Sequence, residues 1–260
     1  MKLSLSGRIL EGRKASIEEL AGLASRIGYS AVEVRYYLLN SGCTEEQARH
    51  IGKVLSDHKL ACAFLTADGF EDSGGIEKLR KLLALARLVD CRLIRVHFRD
   101  VDHQLRSAQQ ASDLAARDGA TLVQQIHTGT PFETIAGALG SVKKIARPNF
   151  RLTFEPANLL LAGERHGKDS IKRLGPAIGN VCVQNLKEVP SRAADSLEYK
   201  GRFFVRCLVD DPQSIDYRSV FEGLQEIGYD GYVTLLDPET SLMKAEDFAA
   251  DAYRKLVRYL

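Results

Sequence analysis

The chain has 260 residues, 45% of them hydrophobic and 27% charged, enough to bury a full core; one α/β barrel, at about 250 residues, would use nearly all of it. Lys and Arg number 36 against 34 Asp and Glu, a formal charge of +2 that is too balanced to make nucleic acid or an anionic membrane an obligatory partner. No segment approaches the roughly 20 apolar residues of a membrane helix, the first residues carry no signal-peptide-like apolar run, and the five cysteines (Cys43, Cys62, Cys91, Cys182, Cys207) form no CxxC pair, so the expected compartment is the cytoplasm, without disulfides or a zinc–thiolate site.

Short apolar or β-branched runs predict eight strands, near residues 2–6, 31–36, 60–66, 92–98, 121–126, 150–155, 181–186 and 231–236. Apolar residues at three- and four-residue spacing predict eight helices, near 16–27, 44–57, 75–89, 103–118, 131–145, 168–175, 215–227 and 241–259. Ser16 with Glu19 and Thr44 with Gln47 read as capping boxes, Ser214 as a further N-cap, and Gly28 and Gly228 as residues that follow helix ends. Two Ile-Gly-Tyr segments, Ile27 to Tyr29 and Ile227 to Tyr229, each join a helix to a strand, an echo of barrel repetition. Strands alternating with helices imply a parallel sheet, and eight units favour a single (β/α)₈ TIM barrel over residues 1–260; no GxGxxG or GxxxxGK[ST] fingerprint supports an open nucleotide-binding sheet. Residues 187–213 read as a long, charged, mostly irregular connection overhanging the carboxyl end of the barrel, where active sites in this fold sit.

Side chains alternate along a strand, so Ile94, Val96 and Phe98 can face the helices only if Arg95, His97 and Arg99 face the lumen. The same count turns Glu33 and Arg35, Gln125 and His127, Arg151 and Glu155, and Asn185 and Lys187 inward. The deeper members, such as Glu33 and Arg95, suit paired structural networks, because an unpaired buried charge is costly. Those at strand ends, namely His97, His127, Glu155, Asn158, Asn185 and Lys187, occupy positions suited to binding or chemistry. His50, His58, His103 and His166 lie in helices or polar loops and read as surface residues.

At these strand ends the chain resembles the xylose-isomerase-like barrel superfamily of sugar phosphate isomerases and epimerases, with endonuclease IV as a remote relative. The likeness rests on Ile27-Gly-Tyr-Ser-Ala-Val-Glu33, Gln125-Ile-His127, Glu155-Pro-Ala-Asn158, Asn185-Leu-Lys187-Glu188 and Tyr229-Asp-Gly-Tyr232. Typical metal-dependent members end strand five in Glu-x-His, strand six in an Asp-Pro-x-Asn-like turn, strand seven in His-x-Lys-Asp and strand eight in Glu. Four of those side chains hold a divalent metal that polarises a substrate carbonyl or hydroxyl while carboxylates move protons. Carried onto this chain, the four ligand positions fall on Gln125, Glu155, Asn185 and Leu236, only one of them charged. The resemblance therefore implies a degenerate metal site, with no cofactor expected, weak divalent binding left open, and Asp237 a replacement for the strand-eight carboxylate only through a slip or bulge.

What remains is a polar mouth in which Lys187, Arg35, Arg99 and Arg206 either grip an anion or, for Arg35 and Arg99, neutralise Glu33 and Asp100. The resemblance implies an enzyme acting on a small polyhydroxylated, anionic ligand, a sugar phosphate or sugar acid. In it Glu155 is the general base, His127 or His97 the acid partner and Lys187 the oxyanion stabiliser, with Glu33, Arg35, Arg99, Gln125, Asn158, Asn185 and Arg206 binding substrate. The alternatives are a pseudoenzyme that binds a ligand or protein partner and, remotely, a metal-dependent nuclease. Neither nucleic acid nor membrane is an expected partner; self-association is possible.

Overall fold

The runs with period-two alternation pair in parallel and close upon themselves. The computed structural model describes residues 1–67, 69–70, 74–237 and 242–260. Its strands are β1 (Lys2–Ser6), β2 (Ala31–Val34), β3 (Ala61–Thr66), β4 (Leu93–Val96), β5 (Thr121–Gln125), β6 (Phe150–Phe154), β7 (Ile178–Val183), β8 (Leu186–Val189), β9 (Leu197–Tyr199), β10 (Arg202–Arg206) and β11 (Tyr232–Leu235). β1 to β7 and β11 form a closed parallel barrel; β1 pairs with both β2 and β11, which leaves no edge. The fold is thus a single (β/α)₈ TIM barrel.

The helices are α1 (Ile17–Ile27), α2 (Glu45–Asp57), α3 (Gly75–Leu88), α4 (Val101–Arg117), α5 (Ile135–Ile145), α6 (Pro156–Ala162), α7 (Lys168–Leu174), α8 (Tyr217–Glu226) and α9 (Ala245–Leu256). Their apolar faces cover the outside of the barrel and form the main core. Both capping boxes are present, at Ser16 with Glu19 and at Thr44 with Gln47. Gly28 ends α1 at φ 113, and a Cβ there would lie 2.9 Å from the Tyr253 hydroxyl, so only glycine suits the turn. No helix among the described residues is long and apolar enough to cross a membrane.

Several expectations need correction. Residues 187–213, though largely outside strands, are more ordered than expected: β8, β10 and β9 make an antiparallel sheet in that order, with a hairpin from Leu197 to Arg206. β7 begins at Ile178, three residues earlier than expected, because Gly179 and Asn180 are strand residues despite their low strand propensity. Gly179 serves close packing, since a Cβ on it would meet Arg151 Cβ at 2.8 Å, while Asn180 donates to Thr153 Oγ1 at 3.3 Å inside the barrel. Ser214 is not an N-cap: Asp216 caps α8 by accepting from the Ser219 N–H, and the Ser214 hydroxyl turns back to the Asp211 carbonyl at 2.7 Å. The short α6 and a 3₁₀ turn at Gly7–Arg13 went unanticipated, being too short to show a periodicity. Of the helix expected over 241–259, Ser241 lies outside the described residues.

Inside the barrel, Ala31, Ala63, Phe64, Cys182 and Leu236 form a small apolar plug. The polar groups therefore collect at the carboxyl ends of the strands.

Candidate active site

β6 ends at Phe154, and Glu155 is the N-cap of α6, with Pro156 at the first helical position where its missing N–H costs nothing. Glu155 is fully buried. Its two oxygens accept from the side-chain amides of Gln125 and Gln184. The Gln184 amide orientation follows from its other contact: Arg206 can only donate, and it donates to Gln184 Oε1 at 3.0 Å, which leaves the NH₂ for Glu155. Arg206 also donates to Asp237 Oδ1 at 3.0 Å. The Tyr217 hydroxyl holds the Gln184 carbonyl at 2.8 Å.

Two buried carboxyls are thus linked through Gln184 and Arg206. Burial pushes Glu155 up to about 8, against the pull of Arg8, Arg95 and Arg206 and with a further push from Asp237. Burial likewise pushes Asp237 up to about 7, against Arg206 and Arg8. Asp237 needs no register slip to arrive here. The Leu236 N–H still bonds the Val183 carbonyl at 2.8 Å and its side chain enters the apolar plug, after which the chain leaves the ladder and Asp237 meets Arg206.

The other wall is an ion network. Glu33 accepts from the Ser6 hydroxyl, from Arg35 at 3.1 Å and from Thr66 at 3.3 Å, with Arg95 at 3.7 Å. Arg35 also grips Glu11 with one nitrogen, at 3.0 and 3.3 Å. Ser6 accepts from the Arg8 N–H at 3.0 Å, which fixes the start of the 3₁₀ turn. Between the walls lies a cavity of about 460 Å³ lined by Arg8, Arg35, Arg95, Arg206, Gln125, Gln184, His127 and Asn158 and roofed in part by Leu197, Glu198 and Tyr199 of the hairpin. The hairpin is tied down where the Tyr199 hydroxyl donates to Glu133 at 2.6 Å and Lys200 pairs with the same carboxylate.

Of the residues singled out from sequence, the structure brings Gln125, His127, Asn158, Arg35 and Arg206 to this cavity, with Glu155 and Glu33 buried beside it. Asn158 donates to the Ile126 carbonyl at 2.9 Å, and His127 Nδ1 donates to the Thr128 carbonyl at 2.9 Å, which leaves Nε2 for proton exchange with a ligand. His97 stands outside the cavity lining, edge-on to His127 with centroids 6.4 Å apart. Three placements are corrections. The Asn185 side chain is not in the mouth; its NH₂ is bound to the Leu208 carbonyl and to Ser214 Oγ at 2.9 Å, and Gln184 takes the inward position because Val181 and Val183 face the helices. Lys187 lies on the far face of the antiparallel sheet, paired with Asp211 at 2.7 Å, since Leu186 beside it faces the cavity. Arg99 is exposed at the start of α4 and does not line the mouth. Arg8 and Gln184 were missed. Arg8 sits in an unforeseen 3₁₀ turn, but the parity of Val181 and Val183 pointed to Gln184.

The described residues at this mouth offer few donors that suit a divalent metal. Among the described residues no three His, Cys, Asp or Glu side chains converge on one point. Leu236 fills the strand-eight position, and both Glu155 oxygens are occupied by N–H donors beside several guanidiniums that repel a cation.

A family model described as xylose isomerase-like TIM barrel matches residues 21–260. An inosose dehydratase of Geobacillus thermodenitrificans (strain NG80-2) is 24% identical over 153 residues, 56% of this chain and 50% of its own length, so the chain spans about half the length of the curated relative it matches. The probable 3-DHS dehydratase AsbF, involved in petrobactin synthesis in Bacillus anthracis, superposes with a TM-score of 0.78 at 17% identity, covering 99% of both chains. The IOLI protein with a binding zinc atom superposes at 0.75 and 18% identity over 100% of this chain and 98% of that one. At such identities the superpositions establish the fold alone.

Proposed function

We propose that this chain, which belongs to the xylose isomerase-like TIM barrel family, is an enzyme acting on a small polyhydroxylated, anionic carbohydrate by acid–base chemistry at Glu155, without a tightly bound metal. The observation that carries this is a fully buried carboxyl at the barrel mouth, held near neutrality beside a cavity lined by Arg8, Arg35, Arg95 and Arg206. Isomerisation, epimerisation and dehydration of a hydroxylated carbonyl compound all begin by moving a proton at a carbon next to the carbonyl, which requires a base near its own pKa and positive charge at the developing oxyanion. Glu155 supplies the first, Arg95 and Arg206 the second, and His127 an acid partner through Nε2. Arg206 takes the stabilising role that sequence alone assigned to Lys187. Two relatives named as dehydratases support including loss of water in the reaction class.

The same amide contacts favour a second reading, a pseudoenzyme, since a carboxylate engaged on both oxygens is a restrained base. A thermal-shift screen of sugar acids, sugar phosphates and neutral sugars, followed by product analysis on any stabilising compound, separates the two. The expected result is turnover that Glu155→Gln abolishes while binding persists. Ligands that bind and are never converted would leave the pseudoenzyme reading in place.

A further inference from the structure

We propose that the Arg8 guanidinium is the anchor for a ligand carboxylate, so that the substrate is a sugar acid rather than a sugar phosphate or a neutral sugar. This rests on the reading of the mouth as a carbohydrate site and narrows it. Each other cation in the cavity is already committed: Arg35 to Glu33 and Glu11, Arg95 to Glu33, and Arg206 to Asp237 and Gln184. Arg8 differs. Its backbone N–H is held by Ser6, but its guanidinium makes no hydrogen bond or ion pair with any of the described residues.

An unpartnered guanidinium in a partly enclosed site is costly, and here the cost is compounded. Burial lowers the Arg8 pKa, and Arg206, Arg35 and Arg95 lower it further, with only Glu155 acting the other way. A bound anion would relieve both the desolvation and the repulsion. The backbone that presents Arg8 is pinned, since Ser6 bridges it to Glu33 and a Cβ at Gly7 would lie 2.9 Å from Arg35 Cγ. The side chain is therefore aimed into the cavity by a fixed turn.

The ligand's charge group follows from the donors left over. One open planar fork matches a carboxylate bidentately, whereas a phosphate dianion uses several donors around its oxygens. No lysine lines the cavity among the described residues, and its remaining guanidiniums are paired. His127, Asn158 and Gln125 supply neutral groups suited to hydroxyls, and Glu155 lies within the electrostatic reach of Arg8. A carboxylate on Arg8 would place the hydroxylated carbons of a sugar acid along that wall, next to the acid–base group.

Wild type, Arg8→Met and Arg8→Lys are compared by thermal shift and calorimetry at fixed ionic strength. The probes are gluconate, glucuronate, glucose 6-phosphate, inorganic phosphate and glucose. Gluconate or glucuronate is expected to raise the wild-type Tm and to lose on the order of 10- to 100-fold in affinity in Arg8→Met, with an intermediate loss in Arg8→Lys. Unliganded Arg8→Met should unfold at or above the wild-type temperature, because it sheds an unpaired cation; a clearly lower Tm would make Arg8 a structural residue and overturn the proposal. Equal carboxylate binding by wild type and Arg8→Met would also overturn it. Stabilisation by glucose 6-phosphate but not by the acids would overturn the carboxylate assignment and leave the broader reading of the mouth standing. No response to any probe would sink both.

Discussion

Whether Glu155 holds its proton at neutral pH is a contest between burial and the guanidiniums around it, and Glu155→Gln tests who wins. Its pKa in the folded protein is about 8, against an ordinary 4.5, so the folded state favours the protonated form. The sign follows. The contribution is fully present below about pH 4.5, declines as pH rises, and is gone above about 8. At about 1.4 kcal/mol for each pH unit, the gap amounts to at most roughly 5 kcal/mol. Asp237 acts in the same direction up to about 7, but it is present in both proteins, so only its coupling to Glu155 enters their difference. Urea unfolding of wild type and Glu155→Gln, measured at unit steps from about pH 5 to 9, should show the wild-type advantage shrinking by about 1.4 kcal/mol per unit and levelling off above 8. A difference that stays flat would mean that Glu155 is ionised throughout and that Arg8, Arg95 and Arg206 outweigh burial.

Restoring the family carboxylate by Leu236→Glu buries a charge among Ala31, Ala63, Phe64 and Cys182 and should cost about 3 kcal/mol or more, read as a lowered Tm that zinc or manganese does not recover; a stable variant that takes up stoichiometric metal would refute this account of the strand-eight position. In the unmodified protein, calorimetric titration with zinc, manganese and cobalt should show no stoichiometric submicromolar site. Lys187→Met should leave ligand-induced stabilisation unchanged, because Lys187 pairs with Asp211 on the far face of the antiparallel sheet, whereas Arg206→Met, which alters the cavity lining, should weaken it; the reverse pattern would place the binding site in the neighbouring cleft. Tyr199→Phe removes one tie to Glu133 and should cost about 1 kcal/mol locally, seen as faster amide exchange over residues 197–206 with the barrel strands unaffected.

The barrel was legible because eight strand runs separated by amphipathic helices leave few other architectures, and because its caps, such as Ser16 with Glu19, are written in local chemistry. The mouth was legible only in part, and the reason is parity. On β6, Thr153 and Glu155 share the inward face, so naming Glu155 needed only the right strand. On β7 the family's motif was laid on Asn185 and Lys187, yet both share the parity of Val181 and Val183, which face the helices. Physical alternation would have chosen Asn180, Cys182 and Gln184, and Gln184 is the residue that holds Glu155. The strand end also changes direction after Gln184, which carries Lys187 into a different sheet where no count along β7 can follow it.

The same reasoning explains why the mouth's charges resisted prediction. A sequence shows which cations are near a strand end but not which are already spent. Arg35, Arg95 and Arg206 each find a carboxylate once the strands close, and only then does Arg8 stand out as the cavity cation with no such partner among the described residues. Where a metal-dependent relative would carry several carboxylates around one cation, this chain sets amides and guanidiniums around one buried carboxyl. The exchange of Glu for Gln125 and of Glu for Leu236 is then intelligible. On the reading proposed above, a further carboxylate at either position would compete with an anionic ligand for Arg8.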